Sequence, residues 1–500
     1  MHRKHFIKLS SALVGLAALP RKGRAAETPP LPVIERAKIK RRNPYLAIQV
    51  GAVSFVDEGT DKVLDILQEK AHINTIWLNT YTWERGTGGR QFPGQPMPDH
   101  GVQEYDTDFH GGAFYDYDKK YFRNTILDDF RSPDYKGINI LNEVLPKAKQ
   151  RGIDVFAMDM NSNSAPMKNW NRVTEIDMYG RRTSIACYNN DDYRQHLYGK
   201  IHDYLKTYPD LAGIAWVNER MGPLMNLIGG GWTSPHAACF CPECRLKARE
   251  RDISVERARA GLMEVEKLFK AARADQRPSD GYFVSFWRLL LKYPEILAWE
   301  KLWTDSYHEV RREVYNLAKS IAPEKPMGWH IVHNNALNPF YRAEEDFGEL
   351  RQYADFAKIA LYNTCGGERM VREVDRLAAT LFHDASPQDI LPLYYKLMNY
   401  EEAGAREALS ATGLSPDFVH RETKRAIAGL GPDVPVYPGI DIDVPSDAKA
   451  MKTTPDRVRL AVKAAFSAGA SGVILSRKYS EMNLTNIAGA GAGFKEAGVI

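Results

Sequence analysis

From Tyr45 onward the chain alternates short apolar runs with longer stretches whose apolar residues recur at three- and four-residue intervals. The first pattern suits a buried strand and the second an amphipathic helix. Eight runs predict strands: Tyr45–Val50, Asn74–Asn79, Ile153–Met160, Leu211–Val217, Met327–Val332, Phe356–Tyr362, Val436–Ile442 and Gly472–Ser476. Between them the spacing predicts helices over Asp61–Lys70, Ile138–Gln150, Tyr193–Lys206, Trp303–Ser320, Pro416–Gly429 and Pro455–Ala468. Eight such units, with no break marking a second domain, predict an α/β fold: a single (β/α)8 TIM barrel over residues 45–500. A doubly wound open sheet is the alternative, but no glycine-rich fingerprint follows the first strand to support it. Two long excursions interrupt the alternation, residues 85–137 after strand 2 and 220–294 after strand 4. Both follow strands, so both belong at the C-terminal face, where barrel enzymes keep their active sites.

Composition refines this picture in one place. The formal charge of +4 invites a nucleic-acid reading, but six of the 67 basic residues lie in residues 1–26, which hold no acidic ones. The remainder carries 61 basic against 63 acidic groups, so no basic footprint for DNA or RNA is left. Residues 1–26 have a charged start, a short apolar core and small residues near Ala25 and Ala26, the plan of an export signal. The motif Arg3-Lys4-x-Phe6-Ile7-Lys8 is similar to a twin-arginine signal with lysine replacing the second arginine. The apolar core is too short to span a membrane, and residues 27–44 read as a linker. A periplasmic or secreted protein with no transmembrane segment in its mature chain is therefore expected.

Asn218-Glu219 ends strand 4, where a glutamate is well placed to exchange a proton with a bound ligand. Three of the five cysteines follow at once in AACFCPECR, as Cys239, Cys241 and Cys244. Disulfides between such near neighbours are strained and close almost no loop. A redox pair at Cys241 and Cys244 and a tetrahedral metal site both stay open, the latter with Cys187 or His236 as fourth ligand. Cys365 has no partner in either scheme and reads as a free buried thiol.

The order Cys187-Tyr-Asn-Asn-Asp-Asp-Tyr-Arg, Asn218-Glu219, Cys239-x-Cys241-x-x-Cys244 resembles the family 42 β-galactosidases of glycoside hydrolase clan A. The likeness is specific over residues 187–245 and architectural elsewhere. It implies a (β/α)8 hydrolase of oligo- or polysaccharides, with Glu219 as acid/base. It also implies a structural Zn2+ on Cys187, Cys239, Cys241 and Cys244. Strand 7 departs from the family, offering VYPGIDIDVP where a nucleophilic glutamate belongs.

Glycoside cleavage needs two carboxylates. Asp441 and Asp443 have the same strand parity and are the candidates for the second, with Glu481 competing and helix capping the other role open to them. An aspartate is one methylene shorter than a glutamate, so retention and inversion both stay open. Asn218, Trp83, Asp159, His330, His333, Arg477 and Lys478 are candidate substrate contacts at strand ends. Arg220, Arg477 and Lys478 would favour an acidic sugar such as a uronate, and the aromatics of residues 109–121 suit sugar faces. Two rivals remain: a saccharide-binding barrel without hydrolysis, and a metal-dependent lyase or hydrolase using His330, His333 and Asp159.

Overall fold

The computed structural model describes residue 39 and residues 42–160, 167–229, 234–400, 402 and 404–500. The export signal expected over residues 1–26 and most of the linker expected over 27–44 lie outside the described residues. Eight parallel strands form the barrel: β1 (Tyr45–Gly51), β2 (Thr75–Thr82), β3 (Asp154–Met160), β4 (Gly213–Val217), β5 (Met327–Ile331), β6 (Ala357–Ala360), β7 (Val436–Asp441) and β8 (Gly472–Ser476). Each pairs with the next, and β8 returns to β1 in the register Tyr45↔Gly472 to Ile48↔Leu475, which closes the sheet. All eight fall on the runs expected from the hydrophobic pattern.

Closure divides each strand into two faces with period two. Tyr45, Ala47, Trp77, Phe156, Met158, Met160, Ala215, Val217, Tyr437 and Ile474 form a buried cluster in the barrel interior. Their neighbours Leu46, Ile48, Ile76, Leu78 and Ile214 join the larger core beneath the helices. The interior is aromatic at the N-terminal end, where Tyr45 stacks on Tyr437 at 4.0 Å and accepts a 2.7 Å hydrogen bond from Trp77 Nε1. Higher up it turns polar: Lys358 on β6 is fully buried and its Nζ donates to Gln49 Oε1 on β1 at 2.5 Å. Burial pushes the Lys358 pKa down to about 7, with the Glu219 charge acting against that shift.

The same alternation relocates one expected contact. Phe156, Met158 and Met160 take the inward positions of β3, so Asp159 faces outward, under the helix Asp191–Thr207. There its carboxylate meets Lys200 Nζ at 2.8 Å and accepts from Tyr204 Oη at 2.8 Å, with both charged side chains wholly buried. Asp159 is thus a latch between barrel wall and helix and does not reach the mouth.

The first excursion adds a two-residue antiparallel strand, Gly112–Ala113, to β2. Gly112 has φ +133°, and a Cβ there would lie 2.6 Å from the Phe130 carbonyl oxygen, so only glycine fits. The aromatics of this excursion are largely core: Phe114 and Tyr115 are buried, and Tyr117 stacks on Phe130 at 3.8 Å. The second excursion is mostly helical, with Pro242–Glu250, Val255–Arg273 and Tyr282–Lys292 leading into Glu295–Ile321. That last helix starts before the expected Trp303, directly after Pro294. A third excursion, residues 361–415, was not apparent from the hydrophobic pattern. It carries helices Gly366–Ala378, Pro387–Met398 and Arg406–Thr412 over the barrel. Among the described residues no helix is long and apolar enough to cross a membrane.

Removing one partner of a fully buried ion pair strands the other charge. Asp159→Ala is expected to lose about 3–5 kcal/mol of stability, read as a lower urea midpoint with an unchanged slope. A loss below about 1 kcal/mol would show that Lys200 is not held as a buried cation.

Candidate active site

Glu219 lies two residues past the end of β4, and its carboxylate meets His330 Nε2, from β5, at 2.9 Å. The glutamate side chain keeps 27% of its surface exposed and the histidine 4%, so Glu219 is the member a ligand in the mouth can touch. Burial by itself would raise the Glu219 pKa. The hydrogen bond from His330 and the positive charges of Arg369 and Lys358 outweigh that cost and hold it below the ordinary carboxylate range. Burial, with the charge of Lys358, lowers the pKa of His330, so the ring is neutral. A neutral ring facing an ionised carboxylate carries its proton on Nε2, and among the described residues the buried Nδ1 of His330 has no hydrogen-bond partner.

A second carboxyl belongs to this group, and it was not among the expected residues. Glu84 lies two residues past the end of β2, in a tight turn. Its N–H donates to Thr82 Oγ1 at 3.1 Å, and its carbonyl accepts from the backbone N–H groups of Thr87 and Gly88. The Glu219 charge acts on this carboxyl. Burial and then the Glu219 charge raise the Glu84 pKa to about 7, with Arg477 acting in the other direction. Two neighbouring carboxyls therefore differ in ionisation near neutral pH, which is the arrangement that separates an acid from a base. The signal available in the sequence was the one used for Glu219, a glutamate just past a barrel strand, here in TYTWERG. Trp83, which precedes it, is half-buried and donates from Nε1 to Tyr81 Oη at 2.8 Å.

The strand 7 aspartates are placed differently from one another. Asp441 ends β7 almost wholly buried, and its two oxygens accept the backbone N–H groups of Thr364 at 3.2 Å and Cys365 at 2.8 Å. It fixes the turn after β6. Asp443 adopts a left-handed φ of +52°, which ends the strand alternation. Its carboxylate accepts from Asn483 N–H at 2.7 Å and Asn486 Nδ2 at 2.9 Å, at the start of the last helix. Shared parity failed here because the strand stops at Asp441, so the two carboxylates do not meet. Glu481 has no exposed side-chain surface and accepts from Arg477 Nε at 3.1 Å.

Other expected contacts are also engaged within the protein. Lys478 Nζ donates to the carbonyls of Gly89 at 2.9 Å and Arg90 at 3.3 Å, which ties β8 to the first excursion. His333 is buried, and its Nδ1 lies 3.2 Å from Arg369 Nη1. Burial and the Arg369 charge keep it neutral. His330, His333 and Asp159 therefore do not converge on one metal position. Asn218, His330, Trp303, Tyr307 and Tyr341 line a small cavity of about 30 Å³ beside the Glu219–His330 pair.

The four cysteines expected to act together do meet. The sulfurs of Cys187, Cys239, Cys241 and Cys244 all lie within 4.8 Å of one another, and all four residues are buried. Cys187 Sγ is 3.5 Å from Cys241 Sγ and 3.4 Å from Cys244 Sγ, far beyond the roughly 2.05 Å of a disulfide. A tetrahedral ion bonded at about 2.3 Å holds its sulfurs roughly 3.8 Å apart, which this spacing approaches. Backbone N–H groups point at the sulfurs: Ile176 to Cys239 and Asn189 to Cys187 at 3.3 Å, and Cys241 to Cys239 at 3.4 Å. The Cys244 N–H donates to Cys241 at 3.5 Å, and Asn189 Nδ2 adds a fifth donor, to Cys244 at 3.3 Å. Donors converging on sulfur favour thiolates over thiols, so the residues fit a thiophilic cation. His236, the alternative fourth ligand, is bonded to Glu266 instead.

Arg220 connects this cluster to the mouth. Directly after Glu219, it pairs with Glu175 at 2.5 Å and lies over the Tyr188 ring at 4.0 Å, beside Cys187. It braces the loop that carries Glu219 and is not a rim charge.

No protein-family model matches the chain, and no curated protein does. Among solved structures, it is similar to a β-galactosidase from the psychrophilic Marinomonas ef1, with a TM-score of 0.50 and 11% identity. That match covers 90% of this chain and 58% of the other. A β-galactosidase from Rahnella sp. R3 is 13% identical with a TM-score of 0.48, over 93% of this chain and 56% of that one. The PgaB glycoside hydrolase domain from Bordetella bronchiseptica is 9% identical with a TM-score of 0.46, over 87% and 94%. The chain thus spans little more than half the length of the two galactosidases, and the likeness is one of fold, an eight-stranded parallel barrel.

The donor set predicts about one divalent cation per chain by elemental analysis of protein purified under reducing conditions. Cys187→Ser should lower that content and the melting temperature together. Metal-free parent protein of equal stability would contradict the assignment.

Proposed function

We propose that this protein hydrolyses glycosidic bonds in an oligo- or polysaccharide, using Glu84 and Glu219 as its two carboxyl groups. The observation that carries the reading is the Glu219–His330 pair at the C-terminal face of a closed barrel, with Glu84 at another strand end and its pKa raised partly by the Glu219 charge. The likeness of residues 187–245 to family 42 β-galactosidases, and of the fold to a solved β-galactosidase, supports the same class. Glu84, protonated up to about pH 7, donates its proton to the glycosidic oxygen as the C–O bond breaks. The bonding electrons leave with that oxygen. Glu219, already ionised, faces the developing positive charge at the sugar carbon, as nucleophile or as base for water. The resemblance gives Glu219 the donor role, whereas the ionisation order in this chain gives that role to Glu84. Neutral His330 donates to Glu219 throughout and fixes its orientation.

In this reading the four thiolates hold Zn2+. The four would fill its tetrahedron and leave no open position for water, so the ion would be structural and would brace the loop after β4. The leader accords with that chemistry. A thiolate site is best assembled in a reducing cytosol, and the twin-arginine route carries proteins already folded to the periplasm.

Glu84→Gln and Glu219→Gln separate the two roles. On alkyl glycosides both variants should lose about 100-fold or more in kcat/KM. On nitrophenyl glycosides, whose leaving group needs little protonation, Glu84→Gln should stay near the parent while Glu219→Gln remains low. Cleavage by Glu219→Gln at the parent rate would remove the assignment, and saccharide binding without turnover by the parent would favour the non-hydrolytic barrel.

A further inference from the structure

The helix Tyr282–Lys292, in the second excursion, is apolar on two sides and packed on one. Its inner row, Tyr282, Phe286 and Leu290, is buried, with Phe286 stacked on Phe269 of the helix Val255–Arg273 at 5.9 Å. One position on, Phe283, Trp287 and Leu291 repeat the four-residue spacing as a second row, and all three are exposed, as is Val284. Trp287 keeps 54% of its surface in solvent and Leu291 71%. A ring contact accounts for one end only, where Phe283 lies 5.9 Å from Phe382. A helix apolar on adjoining faces calls for a partner on each, and here one face has none.

The charge beside the stripe is one-sided. The helix holds no acidic residue, and Arg288 and Lys292 are exposed one position on from Trp287 and Leu291. Residues 267–294 carry six basic groups, all exposed, against two acidic ones, whereas the chain from residue 27 on is close to neutral. Asp280 and Asp384 offset part of this, meeting Arg288 at 2.7 Å and Arg277 at 3.0 Å. A two-fold contact with a second copy sets a patch against itself, so these basic groups would face their own kind. The stripe is also small for that purpose. It exposes on the order of 400 Å², and a stable protein interface takes roughly 800 Å² from each partner. An anionic lipid surface supplies the complementary charge, and Phe, Trp and Leu beside Arg and Lys is the composition that settles in a headgroup layer. A polysaccharide fits less well, because the exposed positions of the helix offer no amide, hydroxyl or carboxylate to sugar hydroxyls.

We propose that the helix Tyr282–Lys292 docks this protein on an anionic phospholipid surface. Phe283, Trp287 and Leu291 enter the headgroup layer, and Arg288 and Lys292 meet lipid phosphates. The helix lies along the surface and does not cross it, having 11 residues against the roughly 20 that a span requires. Neither Glu84 nor Glu219 takes part, so this inference and the proposed hydrolysis stand or fall separately.

Co-sedimentation of the full chain with vesicles tests this. At low salt the parent should bind mixed phosphatidylglycerol–phosphatidylcholine vesicles about 10-fold more tightly than pure phosphatidylcholine, and about 1 M salt should erase the difference. Trp287→Ser and Leu291→Ser should each weaken binding about 10-fold. Arg288→Gln and Lys292→Gln should each cost about 5-fold on the anionic vesicles and little on the neutral ones. Trp287→Phe keeps the apolar stripe, so it should still bind but lose most of the tryptophan quenching that brominated lipid produces in the parent. All these positions are exposed, and an unchanged melting temperature confirms that each variant folds. No binding of the parent to anionic vesicles would overturn the proposal, as would equal binding by Trp287→Ser. A lipid-free dimer that Trp287→Ser dissociates would give the stripe to a second copy instead. Retardation of the parent in a gel containing pectate, abolished in Trp287→Ser, would give it to an acidic polysaccharide, and either result overturns the lipid assignment.

Discussion

A carboxylate in a half-buried barrel mouth stays ionised only if neighbouring groups offset the cost of its burial. Glu219 is placed where three elements contribute: His330 from β5 by a hydrogen bond, Lys358 from β6 by charge, and Arg369 from the excursion after β6. Closing eight parallel strands into one ring makes this possible, because the C-terminal ends of β4, β5 and β6 then converge on one space. The ionised Glu219 in turn acts on its neighbours. It opposes the loss of the Lys358 proton in the barrel interior and retains the proton on Glu84 across the mouth. One carboxylate thereby biases the protonation of two other groups whose pKa values are shifted mainly by burial, and the acid and base of the proposed reaction follow from the two effects together.

The loop that presents Glu219 is held from both sides. On the barrel side the hydrogen bond to His330 fixes the carboxylate. On the other, the next residue, Arg220, pairs with Glu175 of the hairpin Thr174–Ile176 and Arg182–Ala186 that leads into Cys187, and lies over the ring of Tyr188. The cysteine cluster joins that hairpin to the helix Pro242–Glu250, whose N-cap is Cys241. A metal ion held there would restrain the chain before and after β4 at once, and its effect on the mouth would be positional, through Arg220.

Much of this fold was legible because parallel barrel strands are buried on both faces and read as apolar runs, which set all eight at the right places. The strand-end place of Glu219 and the meeting of the four cysteines were legible because each rests on local order along the chain. What escaped depended on three-dimensional parity and on pairing at a distance. Asp159 sits on the outward face of β3, where Lys200 compensates its charge, and no local feature of IDVFAMDM announces that partner. Asp443 lost its strand parity to a left-handed turn. Arg369 was hidden because the helices after β6 share the periodicity of the outer barrel helices, so the third excursion did not stand apart. Glu84 had the same strand-end position as Glu219 but lacked a family motif to draw attention to it.

The account turns on Glu84 and Glu219 ionising at different pH, and carbon-13 NMR titration of side-chain carboxyls in the labelled protein reads this directly, without a substrate. The Glu84 resonance, assigned by its absence in Glu84→Gln, should titrate with a midpoint of about 7. In Glu219→Gln it should move toward the ordinary 4.5, because the neighbouring negative charge is gone. A Glu84 midpoint already near 4.5 in the parent, or one that Glu219→Gln leaves unmoved, would contradict the account.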